Sequence, residues 1–140
     1  QRQMCIRDRF IYLLTIVNRR MRITPQEIEV WYILPAIRRE FARIMVQNHN
    51  LTQKEVSSVL GITRSAVNQY LKNKRANKIT LTPEIKAEIR LSASNILEEK
   101  SSPMEEIQKI LHSMKRNHIT CDLHKNYEPT VPKDCCACLK

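Results

Sequence analysis

The chain has 140 residues, a single-domain length, with 24 Lys and Arg against 14 Asp and Glu and a formal net charge of +10. With 42% hydrophobic and 27% charged residues, the composition is that of a folding chain. Its single glycine excludes a P-loop or a dinucleotide-binding fingerprint, which need several. Few glycines and few aromatics also argue against a β-sandwich or barrel. A small, basic, mostly helical protein remains, and its charge favours a polyanionic partner.

Residues 1–20 are read as an artefact or a disordered leader outside the fold. Gln1 to Arg9 (QRQMCIRDR) resembles a peptide produced when sequencing-adapter DNA is translated, and an ordered helical pattern starts only after Met21. The apolar run Phe10 to Val17 is far shorter than the roughly 20 residues a spanning helix requires. No membrane role and a cytoplasmic location are therefore expected.

From Met21 the chain punctuates itself with helix caps. Thr24-Pro25-Gln26-Glu27 is a capping box with proline at the first helical position. Ile28, Trp31 and Tyr32 follow at helical spacing, and Pro35 is expected to break that helix and start a second. There Ile37, Phe41, Ile44 and Met45 form an apolar stripe, with Arg38, Arg39 and Glu40 expected on the opposite side. Thr52-Gln53-Lys54-Glu55 opens a short helix ending at Gly61, where a turn of positive φ is needed. Thr63 caps the next helix, expected to run to about Lys72, and Asn73 to Lys78 is a basic loop. Thr82 starts a longer helix with Ile85, Ile89, Ile96 and Leu97 as packing residues. Ser102 and Glu105 make a further capping box, before a helix bearing Ile107, Ile110, Leu111 and Met114. After His118 the periodicity is lost. The organisation read is thus 21–80 as one domain, 81–117 as a helical segment suited to dimerisation, and 118–140 as an irregular tail.

Leu51 to Arg75 is the most informative stretch. Val56, Val59, Leu60, Ile62, Val67 and Leu71 supply an apolar interior for two helices joined at Gly61. The second helix then presents Arg64, Ser65, Asn68, Gln69 and Lys72, side chains able to hydrogen-bond base edges. From Thr63 to Lys78 there are five basic residues and no acid, a concentration suited to neutralising phosphates.

These residues resemble the helix-turn-helix of the Cro/Xre repressor superfamily. The similarity rests on Leu51-Thr52-Gln53, Glu55-Val56, Gly61-Ile62-Thr63, Ser65, Val67, Tyr70 and Lys74-Arg75. Ser57 stands where the family usually has alanine, and Asn73 where it usually has glycine. The resemblance implies an all-α, lambda-repressor-like helical bundle that binds double-stranded DNA as a homodimer. Gln53 would meet a phosphate at the first helix. Thr63, Arg64 and Ser65 would begin the reading helix, Asn68 and Gln69 would follow one turn later, and Lys72, Lys74 and Arg75 would grip the backbone.

Four of the five cysteines fall in the last twenty residues. Cys121-x2-His124, a ten-residue interval and Cys135-x2-Cys138 have the arrangement of a tetrahedral site. Zinc is the first ligand expected, and an iron–sulfur cluster the second. Cys136, inside the second pair, is open between bystander, alternative ligand and redox-active thiol. With this tail, the segment Ile23 to Glu40 (ITPQEIEVWYILPAIRRE) resembles predicted transcriptional regulators found mostly in archaea. Members often carry a further C-x2-C upstream, where this chain has Leu111-His112 and no cysteine. The sequence therefore implies a sequence-specific DNA-binding regulator, with the tail as metal or redox sensor. An RNA-binding or antitoxin-like module with a structural zinc site is the second reading. No paired carboxylates or nucleophile motif suggest an enzyme.

Overall fold

The structure, a computed structural model, describes residues 23–135 and 137–139; the leader and Cys136 lie outside the described residues. Among the described residues all regular structure is helical. Chain order is α1 (Pro25–Ile28), a π-turn (Glu29–Ile33), α2 (Leu34–Gln47), α3 (Gln53–Leu60), α4 (Arg64–Leu71), α5 (Pro83–Leu97), α6 (Pro103–Arg116), α7 (Ile119–Tyr127) and a 3-10 turn (Ala137–Leu139).

The caps form as the sequence expects. The hydroxyls of Thr24, Thr52 and Ser102 accept from the amides of Glu27, Glu55 and Glu105, and those glutamates reach back to the capping amides. Each box satisfies two amides that a helix start leaves open. Thr63 and Thr82 cap α4 and α5. Gly61 ends α3 at φ 61°, and Asn73, in the place usually held by glycine, also takes a left-handed φ of 55°.

Helix α2 is the central strut, packed by α3, α4, α5 and α6. Its apolar stripe is fully buried at Ile37, Phe41 and Met45, with Ile44 at 5% exposure. Val56 and Leu60 of α3 and Ala66, Val67 and Tyr70 of α4 close on it from one side. Ile85, Ile89, Ala93, Ile96, Ile107, Ile110 and Met114 complete one continuous core from the other. No helix among the described residues is long and apolar enough to cross a membrane.

Pro35 does not break the helix. Residues 28–34 keep right-handed helical dihedrals, and the amide of Leu34 donates to Glu29 O, five residues back. The wider π-turn makes room for the proline ring and leaves its missing N–H without consequence. Its inserted residue also shifts the register: Ile28 and Ile33, five apart, are both buried, and Trp31 stays 55% exposed.

Arg39 and Glu40 were expected on a solvent face and are buried. The guanidinium of Arg39 donates to Ile79 O at 3.2 Å, and burial beside Arg43 draws its pKa below the ordinary value. The tail also differs from expectation, since its first half is the helix α7. His118 enters it at φ 60°, and Thr120, Cys121 and His124 face inward at helical spacing. That polar pattern did not read as amphipathic because its buried face consists of Thr, Cys and His.

Candidate nucleic-acid interface and thiol–imidazole cluster

Helices α3 and α4 pack on each other and on α2, so the turn at Gly61 is held at a fixed angle. The buried face of α4 is Ala66, Val67 and Tyr70. What remains outside is Arg64, Ser65 and Gln69, all exposed, with Asn68 half-buried between them. Thr63 itself serves as cap, its Oγ1 accepting from the Ala66 amide at 3.1 Å. Lys72, Lys74 and Arg75 follow on the exposed exit of α4, and Gln53 is half-buried at the start of α3. The structure thus brings Arg64, Ser65, Asn68 and Gln69 to one helix face and Lys72, Lys74 and Arg75 to its exit, with Gln53 apart on α3.

Sequence reasoning missed what fixes that loop. Arg43 Nη2 donates to Asn73 Oδ1 at 2.9 Å, and Arg39 reaches Ile79 O from beneath. Ile79 and Leu81 insert into the core as anchors. Arg75 sits over the Tyr70 ring, 5.8 Å from its centroid. No signal in α2 marks Arg39 as inward, because it lies two positions from both Ile37 and Phe41, which on a helix is the opposite side.

At the C-terminal end, α7 and the 3-10 turn gather the tail's donors. His124, 5% exposed, has Nε2 2.6 Å from Ile23 O. A carbonyl can only accept, so Nε2 carries the proton and Nδ1 presents a lone pair. That lone pair faces Cys138 Sγ at 3.4 Å. Cys138 and Cys121 are both buried. Burial first, then the contact with Cys121, pushes the Cys138 thiol up to about 12. Cys135 is half-buried in the shallow cleft that His124 shares with Ile23, Thr24 and Pro25. All three described cysteines are free thiols. Among the described residues, no three His, Cys, Asp or Glu side chains already stand as a metal-holding set.

The bundle contains a helix-turn-helix, α3 and α4 joined at Gly61. Residues 43–81 match the family model described as Helix-turn-helix, which spans α3, α4 and the anchored loop and supports a DNA-binding regulator in general terms. No curated protein and no solved structure matches the chain. In the 81–117 segment read as suited to dimerisation, Ile85, Ile89, Ile96, Ile107 and Ile110 are buried within the chain's own core.

Proposed function

We propose that the protein is a sequence-specific transcriptional regulator that lays α4 in the major groove of double-stranded DNA. The observation that carries this reading is the exposed face of Arg64, Ser65 and Gln69, with no acid from Thr63 to Lys78. Arg64 pairs with guanine, Asn68 and Gln69 with adenine, and Ser65 with either. Gln53, Lys72, Lys74 and Arg75 hold phosphates and set register. Two copies on a two-fold operator would place their α4 helices one helical turn of DNA apart. Their contact would lie outside the buried isoleucines.

The test is selection of bound duplexes from a random-sequence pool, followed by affinity at several salt concentrations. A preference of at least about a hundredfold for one sequence, with affinity falling steeply as salt rises, is the expected result. Equal affinity for all duplexes, or tighter binding to RNA, would overturn it.

A second component of this reading is a zinc site made of Cys121, His124, Cys135 and Cys138. The observation favouring it is the Sγ to Nδ1 separation of 3.4 Å between Cys138 and His124. Zn–S and Zn–N bonds of about 2.3 and 2.0 Å at a tetrahedral angle put such donors about 3.5 Å apart. The Ile23 carbonyl orients the imagined ligand ring as backbone carbonyls orient metal-bound histidines elsewhere. Cys135 must turn inward to complete the set. Zinc would hold the thiols as thiolates and tie α7, the 3-10 turn and the start of α1 together; iron–sulfur chemistry would use the same thiols. Zinc bound at one equivalent, with operator affinity changed on chelation, is the outcome expected of a sensor. Equal affinity with and without metal would remove the sensing role.

A further inference from the structure

A groove of about 640 Å³ lies between the π-turn and the loop that leaves α4, within the size range of small-molecule sites. Val30 and Trp31 form one wall, 58% and 55% exposed. Lys74, Arg75 and Lys78 stand on the other, and among the described residues no acid lines the groove. Its base is fixed: the rings of Tyr32 and Tyr127 stack with centroids 4.3 Å apart, and Lys78 Nζ lies 5.5 Å from the Tyr32 centroid. The Tyr127 hydroxyl donates to Lys78 O at 2.9 Å, which ties the loop to α7.

The π-turn accounts for the wall. One inserted residue turns the chain by about 100°, so Ile33 enters the core and Trp31 faces outward. An indole held beside three cations offers a ring face for stacking and charge for an anion. Bases in a duplex have no free face, so DNA would use the cations and leave the indole idle.

We propose that this groove binds a small planar anion, an aromatic ring bearing a phosphate or carboxylate, stacked on Trp31 with its charge held by Lys74, Arg75 and Lys78. Lys74 and Arg75 cannot serve the ligand and a DNA phosphate together. Resting on the DNA-binding reading, the ligand therefore opposes operator binding, and DNA weakens the ligand by the same factor.

Trp31 is the only tryptophan in the chain, so its fluorescence reports on this groove alone. The full chain, without DNA, is titrated with adenosine monophosphate and with nicotinate, and with adenosine and inorganic phosphate as half-ligands. The result expected is saturable quenching by at least one of the two anions below about 1 mM, with the half-ligands at least about tenfold weaker. Which anion quenches separates phosphate from carboxylate recognition. Lys78→Ala and Lys74→Ala should each weaken binding about three- to tenfold with unchanged helical circular dichroism, since both side chains are exposed. Calorimetry on Trp31→Ala should show binding lost.

Absence of saturable change with either anion overturns the site, as does equal binding in the lysine variants. A single-stranded oligonucleotide that binds far more tightly than the mononucleotide overturns the small-ligand reading and makes the groove a stacking platform for nucleic acid. Quenching without any change in operator affinity overturns the antagonism. Because the first titrations contain no DNA, failure of the groove and failure of the DNA reading are separately visible.

Discussion

The exposed α4 face and the thiol–imidazole cluster stand at opposite extremes of how a fold can hold chemistry. On α4 the candidate functional side chains are exposed, and the helix beneath them is secured by a local cap, a glycine turn and its own apolar face. In the tail the candidate residues are themselves the buried face, and His124 is held by a carbonyl 101 residues earlier in the chain. The first region can change those side chains without touching stability. The second cannot alter one of them without altering the fold.

The largest expected effect would show whether the two regions are one cooperative unit. Phe41 is fully buried in the strut that both halves pack on, so Phe41→Ala should cost about 3–5 kcal/mol. Denaturation followed by Trp31 fluorescence and by overall helicity should shift together; separate transitions would split the molecule in two.

Acid should come next, and it acts from the C-terminal half. Burial pushes the Glu106 carboxyl up, but hydrogen bonds from Lys109, Ser101 and Ser92 outweigh it and hold the group at about 2 against an ordinary 4.5. The unfolded state then takes up more protons. The stabilisation is complete above pH 4.5 and is lost as pH falls towards 2. Its size is on the order of 3 kcal/mol. Glu106→Gln should flatten that part of a stability–pH profile, and an unchanged profile would contradict the assignment.

His124→Ala removes a buried hydrogen-bonded ring and should destabilise the metal-free protein by about 1–3 kcal/mol, measured by thermal unfolding. Arg64→Ala should leave unfolding unmoved and cost about 1–3 kcal/mol of operator affinity, with selectivity relaxed at one base position. If His124→Ala proved neutral to stability or Arg64→Ala proved destabilising, the contrast between the regions would collapse. The smallest effect is at the turn. A methyl group at Gly61 meets nothing within 4 Å, so Gly61→Ala carries only the left-handed backbone penalty of about 1 kcal/mol, read from the denaturation midpoint.

The same contrast explains what was legible in the sequence. Caps at Thr24, Thr52, Thr63, Thr82 and Ser102 depend on residues within four positions, and the structure forms each one. The helix-turn-helix is built from such signals and could be read whole. The passage of the helix through Pro35, the inward turn of Arg39 and the helix from Ile119 to Tyr127 were not legible. Each depends on partners far along the chain, namely the core that takes Ile33, the carbonyl of Ile79 and the carbonyl of Ile23.

The bond from His124 to Ile23 also sets an order of assembly. At about 5–20 residues per second, a ribosome releases Ile23 roughly 5–20 seconds before its partner exists. The exposed α4 face is thus synthesised well before the clasp that fastens Ile23 to α7 can close.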